Sequence, residues 1–320
     1  MKGAALGQLH SIRGRACRLR SRTAFLAFMQ KRIIIYVAAI LLVLRSGYAY
    51  QQPRDSRAIL TETPAPSDAR IAYGKDPNQF GELRLPHGTA FKKPYPVVVM
   101  LHGGCWMAEY GLGYMGHVGA DLAAQGIATW NLEYRRVGNP GGGIVGTFHD
   151  VQLGVRHLET LAKNYSLDLQ RIVVIGHSAG GHLALRLADT LFDKAAPKGA
   201  LRWRGVVALA AITDLRRTGT ACDASVQMLM GGTAREQGAL YAQHSPLELL
   251  PLGAIKQIIV HGDADRIVPT VMATSYVEAA QKKGDDAKLM LIEKAGHFEI
   301  VDAQAIAWAQ VRAEILKLVE

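Results

Sequence analysis

The chain has 320 residues, 49% of them apolar and 20% charged, with a formal net charge of +10. That balance excludes a largely disordered chain and suits a globular domain. The charge suggests nucleic acid only until it is located: nine basic residues and no acidic one lie in residues 1–49, leaving 28 basic against 27 acidic residues in the remainder. A near-neutral domain offers no electrostatic footprint for a phosphate backbone, so nucleic acid is not an expected partner.

Residues 1–49 read as a targeting segment. Lys31 and Arg32 precede a twelve-residue apolar run, Ile33 to Leu44, and Gly47 and Ala49 supply small residues for a cut after Ala49. Positive flank, short apolar core and small-residue site are the parts of a secretory signal. The run is short for a membrane span, which needs about 20 apolar residues. The alternative is an uncleaved N-terminal anchor, which would place the protein on a membrane. Residues 1–28 are Arg-rich and acid-free, and Met29 stands just before the signal, so Met29 is a candidate true start. The expected location is therefore periplasmic or secreted. Export would leave Cys105 and Cys222, which read either as one disulfide or as two buried thiols.

Residues 50–68 are rich in Pro, Ser and Thr and read as a linker or extended arm. From there strand-like and helix-like segments alternate. Residues 69–73 and 81–85 suggest an antiparallel pair. The run 96–101 (PVVVML) has the continuous apolar character of a strand buried on both faces. Further strands are expected at 127–133, 171–176, 205–212, 257–260 and 288–292. Val151, Val155, Leu158 and Leu161 recur at helical spacing, as do Trp308, Val311, Ile315 and Leu318. The alternation implies one α/β domain over 69–320, with a mostly parallel central sheet covered by helices on both faces. The stretch 213–255 is longer than a crossover needs and is expected to form a small cap.

The chemistry concentrates at four points. Gly176-His177-Ser178-Ala179-Gly180 lies between an apolar strand and a helical run, the context in which G-x-S-x-G presents a nucleophilic serine on a sharp turn. A serine needs a base, and the base an orienting acid. Of the later histidines, His182 lies on the helix after the serine and His261 ends a strand, whereas His297 sits in a loop beyond the last strand, where a base should hang. The acid is sought in His261-Gly262-Asp263-Ala264-Asp265. Asp265, deeper in the loop, can reach back to the histidine; Asp263, near the strand end, can cap the turn instead. Finally, His102-Gly103-Gly104-Cys105-Trp106 follows a strand and can supply backbone N–H groups to an oxyanion, with the N–H of Ala179 as a second donor. Trp106 could wall a substrate pocket or lie in the core. Tyr134-Arg135-Arg136 and Gly141-Gly142-Gly143 read as structural. No metal-ligand spacing such as H-E-x-x-H and no G-x-G-x-x-G after a strand is found, so neither metal nor dinucleotide is expected.

With these residues the chain resembles the esterase and lipase branch of the α/β-hydrolase superfamily, over roughly residues 69 to 318. HGGCW is similar to the H-G-G-x-W motif of kynurenine formamidases and of bacterial feruloyl and acetyl-xylan esterases. HGDADRIVP resembles the H-G-x-x-D-x-x-V-P acid loop of prolyl-oligopeptidase-like enzymes, whose fifth residue, the acid, falls on Asp265. GHSAGGH and AGHF complete the likeness. By position the resemblance implies oxyanion donors at Gly104, Cys105 and Ala179. Cys105 stands where hormone-sensitive-lipase-like esterases carry a third glycine, which favours the formamidase and carbohydrate-esterase neighbours. The implied activity is cofactor-free hydrolysis of a small carboxylic ester through an acyl-enzyme on Ser178, with His297 and Asp265. Arylformamidase and prolyl-oligopeptidase-like peptidase are the enzyme alternatives, and a hydrolase-fold binding module without activity is the non-enzyme one. Oligomeric state is not legible.

Overall fold

The computed structural model describes residues 55–191 and 201–320. The expected signal segment and the candidate start at Met29 lie outside the described residues. The strands are β1 (Ala69–Ala72), β2 (Phe80–Arg84), β3 (Tyr95–Leu101), β4 (Ala128–Leu132), β5 (Leu167–His177), β6 (Trp203–Leu209), β7 (Gln257–Gly262) and β8 (Ala287–Ile292). They form one eight-stranded sheet in the order β1-β2-β4-β3-β5-β6-β7-β8. β1 and β2 run antiparallel to their neighbours, and every pairing from β4 to β8 is parallel.

The apolar runs explain why the central strands are buried twice over. Every residue of β3 is buried. Val97, Val99 and Leu101 face one core while Val98 and Met100 face the other, because successive side chains of a strand point to opposite faces. β5 repeats this, with Ile172 and Val174 on the first side and Val173 and Ile175 on the second. Burying each such side chain contributes about 1.5–3 kcal/mol.

The helices are α1 (Gly116–Ala123), α2 (Ile144–Arg156), α3 (Leu158–Asn164), α4 (Ala179–Leu191), α5 (Asp223–Met230), α6 (Gly238–His244), α7 (Pro246–Leu249), α8 (Val271–Lys282) and α9 (Ile306–Val319). The two periodic stripes cover opposite faces of the sheet. Val151, Val155, Leu158 and Leu161, divided between α2 and α3, fill the first core; Trp308, Val311, Ile315 and Leu318 of α9 fill the second with Val118 and Leu122 of α1. Asp121 on α1 ties these last two helices together, accepting from Trp308 Nε1 at 2.7 Å and from Arg312 at 2.7 and 2.9 Å.

Two local differences from the sequence reading have physical causes, and one expectation is met. β6 ends at Leu209 rather than 212, because Ala210 takes a left-handed backbone (φ 46°) that cannot continue a strand. Residues 55–68 are an arm folded against the domain: a 3-10 turn, Ser56–Leu60, buries Ile59 in the second core, and Ala65 O accepts from the Arg84 guanidinium at 3.0 Å. The stretch 213–255 holds α5, α6 and α7, short helices beyond the end of β6.

Candidate active site

Four loops at the carboxyl ends of the parallel strands meet over the sheet, the place where open α/β sheets carry ligand sites. β3 leads into 102–107, β5 into Ser178, β7 into 263–268 and β8 into 293–298.

The turn at Ser178 is dictated by its glycines. A Cβ on Gly176 would lie 2.1 Å from Gly180 O, and one on Gly180 would lie 2.1 Å from Leu101 O. Strand and helix can therefore approach this closely only without side chains there. Ser178 itself has φ 55°, a left-handed conformation costing a side-chain-bearing residue roughly 1–2 kcal/mol. Its N–H donates to Leu209 O at 2.7 Å, and its carbonyl accepts from His182 N at 3.1 Å, the first bond of α4. The strained turn is thus pinned on both sides.

Asp265 and His297 come together. His297 Nδ1 and Asp265 Oδ2 are 2.7 Å apart, and the carboxylate is completely buried. Its other oxygen accepts from Ile267 N at 2.8 Å and Val268 N at 3.0 Å. Burial alone would raise its pKa, but hydrogen bonds from His261 and His297 and the charge of His297 outweigh it and hold the carboxyl well below its usual range. His261 Nε2 donates to Val268 O at 2.9 Å and stands 3.4 Å from Asp265 Oδ2, so it buttresses the acid loop. Asp263 is used otherwise: its Oδ1 accepts from Lys294 N at 2.6 Å in an exposed turn. The two aspartates, two residues apart, have separate partners.

A second network joins the serine turn to the glycine loop and to His297. Gly103 N–H donates to the Tyr114 hydroxyl at 2.6 Å, that hydroxyl meets His177 Nδ1 at 2.8 Å, and His177 Nε2 meets His297 O at 2.9 Å. The directions are fixed by elimination. A carbonyl only accepts, so Nε2 carries the proton; burial keeps His177 neutral, its pKa far below the usual value, so Nδ1 accepts from the tyrosine. Burial likewise pushes the Tyr114 phenol up. Neither Tyr114 nor His177 was singled out from sequence. Tyr114 lies on a 3-10 turn, Leu112–Met115, with no motif around it.

Beneath the glycine loop, Glu133 Oε1 accepts from His102 Nε2 at 2.9 Å and its Oε2 from Leu112 N at 3.3 Å. Burial opposes ionisation here, and His102 and Arg136 overcome it, leaving the Glu133 pKa lowered. Tyr134 stacks on His102 with ring centroids 4.4 Å apart and donates to its carbonyl at 2.6 Å. Arg135 forks onto the buried Asp150 at 2.6 and 2.7 Å. The Tyr-Arg-Arg segment is structural support for the loop.

The loop runs left-handed through three residues: Gly104 (φ 103°), Cys105 (φ 49°) and Trp106 (φ 57°). Gly103 N–H is taken by Tyr114, but among the described residues no acceptor is bonded to the N–H of Gly104, Cys105 or Ala179. Cys105 forms a disulfide with Cys222, so the thiol alternative is set aside. The pocket role considered for Trp106 is corrected. Its left-handed backbone turns the indole into the core, where it is fully buried edge-on to His182 at 5.2 Å, and it does not line the cleft.

That cleft has a volume of about 660 Å³. Ser178, His297, Gly104 and Cys105 open onto it, and Leu60, Tyr110, Tyr114, Ile267 and Phe298 form apolar and aromatic walls. Glu109 is its one lining carboxylate among the described residues. Leu60, from the N-terminal arm, is a wall residue that no sequence motif marked. Among the described residues no group of His, Cys, Asp and Glu is placed to hold a metal ion, and no helix is long and apolar enough to cross a membrane.

The sheet order and the serine turn define an α/β-hydrolase fold, and comparison with solved structures agrees. A truncated carbohydrate esterase from gut microbiota superposes with a TM-score of 0.67 at 19% identity, covering 84% of this chain and 99% of that one. Esterase B from Lactobacillus rhamnosus gives 0.69 at 17% identity, covering 90% and 94%. Within that fold the chain belongs to the BD-FAE family, whose model matches residues 83–279. Among curated proteins it is 25% identical over 72% of its length to a probable isoprenylcysteine alpha-carbonyl methylesterase of Oryza sativa subsp. japonica. It is 26% identical over 73% of its length to esterase LipC of Mycobacterium tuberculosis. The chain spans 56% and 60% of those two relatives' own lengths.

Proposed function

We propose that the protein is a serine hydrolase of small carboxylic esters, with Ser178 as nucleophile, His297 as base and Asp265 as the acid that orients it. The observation that carries this reading is the 2.7 Å bond between His297 Nδ1 and the fully buried side-chain carboxylate of Asp265, beside a cleft that Ser178, on its strained turn, also lines. Asp265 accepts a hydrogen bond from Nδ1–H and keeps the proton on that nitrogen, which leaves Nε2 of His297 as the basic nitrogen. Ser178 Oγ attacks the ester carbonyl as His297 takes its proton. The tetrahedral oxygen is received by the N–H groups of Gly104, Cys105 and Ala179, which have no other acceptor among the described residues. His297 then protonates the leaving alcohol, and water, deprotonated by His297, releases the acid from the acyl-enzyme. No cofactor enters these steps.

The curated relatives named as a methylesterase and an esterase support an ester over an amide. The apolar and aromatic walls of a cleft of about 660 Å³ favour a small, apolar acyl group. Export to an oxidising compartment is part of the proposal. The disulfide supports it, since such bonds persist where thiols are not kept reduced, and so does the charge and apolar pattern of residues 31–49. The test is a substrate panel: p-nitrophenyl acetate and butyrate, acetylated xylan, a feruloyl ester and N-formylkynurenine. Turnover of the esters ahead of the amide is expected. Turnover of N-formylkynurenine alone would move the assignment to the formamidases, and turnover of none would end it.

A further inference from the structure

We propose that the Cys105–Cys222 disulfide is a positioning clamp for the oxyanion-binding loop, with Cys222 acting on the reaction through Cys105. This rests on the reading of Ser178 as nucleophile and the Cys105 N–H as an oxyanion donor. Cys105 occupies a left-handed backbone, φ 49°, between two other left-handed residues. Residues with a Cβ enter that region at a cost and leave it unless held. Gly104 has no such cost. Trp106 is held by complete burial of its indole, and its carbonyl accepts from Val137 N at 2.9 Å. Among the described residues the disulfide is the one bond to the side chain of Cys105.

The other end of the bridge is well anchored. Cys222 is fully buried, its N–H donates to Thr220 Oγ1 at 3.1 Å, and its carbonyl accepts from Val226 N at 2.9 Å, at the start of α5. The preceding Ala221 donates from its N–H to Ile267 O at 2.9 Å, and Ile267 N–H in turn donates to Asp265 Oδ1 at 2.8 Å. A continuous path therefore runs Cys105, Cys222, Ala221, Ile267, Asp265, His297. It joins the oxyanion loop to the acid and base on the cap side of the cleft. The Gly103–Tyr114–His177–His297 chain makes the same connection on the other side. The disulfide closes this ring around the reacting carbonyl.

Cys105 faces the cleft while Cys222 is sealed, so a dithiol such as dithiothreitol meets the Cys105 sulfur first. Its thiolate attacks there and Cys222 leaves as a thiol. The second thiol of the reagent then displaces Cys105, so the protein gains two electrons and two protons while the reagent closes to a cyclic disulfide. Released, Cys105 relaxes out of the left-handed region and its N–H turns from the site.

The test uses the full chain, oxidised and reduced, with Cys222→Ala and the double variant Cys105→Gly/Cys222→Ala. With thermal melting to establish that each is folded, Cys222→Ala is expected to lower kcat on p-nitrophenyl acetate about 10- to 100-fold, part or all of one donor's worth, with KM within about twofold. The double variant should recover at least about fivefold of that loss, because glycine takes the left-handed region freely. Reduction of the wild type should speed amide exchange at Gly103 and Met107, the loop N–H groups that donate to the Tyr114 hydroxyl at 2.6 Å and to Gly104 O at 2.9 Å, a readout that needs neither a variant nor a substrate. The clamp is overturned if Cys222→Ala keeps kcat within twofold, if the glycine gives no recovery, or if reduction leaves exchange unchanged. Wild-type protein that hydrolyses no ester would instead overturn the proposed activity, with the exchange measurement still deciding the clamp.

Discussion

The two aspartates of the acid loop provide a sharp internal control. Asp265→Asn keeps the shape of the side chain, and its carbonyl oxygen can still accept from the Ile267 and Val268 amides at 2.8 and 3.0 Å. The amide nitrogen is then presented to His297 Nδ1, where a carboxylate oxygen stood at 2.7 Å. Two donors cannot share that contact, so Nδ1 becomes the acceptor and the proton moves to Nε2, the nitrogen that must be free to take the serine proton. The wrong tautomer in an otherwise intact site costs about 10⁴-fold in kcat, equivalent to about 5.5 kcal/mol of barrier. Asp263→Asn retains a carbonyl oxygen for Lys294 N in an exposed turn and should keep kcat within about twofold. Both variants should show wild-type circular dichroism, and kcat is read with p-nitrophenyl acetate at saturation. The reasoning fails if Asp265→Asn retains a tenth of wild-type kcat, or if Asp263→Asn loses as much as Asp265→Asn.

The remaining expectations concern the surroundings of the triad. Tyr114→Phe strips a partner from both Gly103 N–H and His177 Nδ1, which should cost about 1–3 kcal/mol in urea unfolding and reduce kcat; wild-type values of both would show that the network is idle. Burial lowers the pKa of His177 far below the usual value, that of His182 to about 3 and that of His244 to about 4, so these side chains stay neutral in the native protein at pH 5 while the unfolded chain protonates near 6.5. The unfolded state then holds more protons, so stability present above pH 6.5 is lost as the pH falls. With two to three protons involved the slope is about 3–4 kcal/mol per pH unit near pH 5, and urea midpoints that stay level from pH 7 to 5 would contradict it. Glu109, the one carboxylate lining the cleft among the described residues, should disfavour esters whose acyl part bears a carboxylate. Glu109→Gln is expected to narrow that preference in kcat/KM about threefold at low salt, and an unchanged ratio would remove Glu109 from selectivity.

What the sequence made legible follows from how local each signal is. The PVVVML and RIVVIG runs announced strands buried on both faces because two-sided burial leaves no polar alternation to confuse the reading. Ser178 was marked by strand, glycines and helix within a dozen residues, and His297 by its loop after the last strand. Depth in the loop favoured Asp265 over Asp263 and only the resemblance of the acid loop separated them firmly, but their separate partners come from the fold: one carboxylate turns inward to His297, the other outward to Lys294. The pairing of Cys105 with Cys222 depends on where a cap helix begins, 117 residues away, which spacing does not encode. Trp106 could not be sorted between wall and core, because its burial follows from the left-handed turn before it. Tyr114 and Leu60 reach the cleft from a 3-10 turn and a Pro-rich arm, segments with neither period nor motif, and only tertiary packing brings them there.

The central claim is that Ser178 is the nucleophile, and covalent labelling addresses it most directly. A fluorophosphonate added to the full chain should leave one adduct on the peptide containing Ser178 and abolish ester turnover in step with labelling. Ser178→Ala, folded, should take no label and lose at least about 10⁴-fold in kcat. Labelling of a different residue, or a Ser178→Ala variant that still turns over p-nitrophenyl acetate at the wild-type rate, would contradict the account.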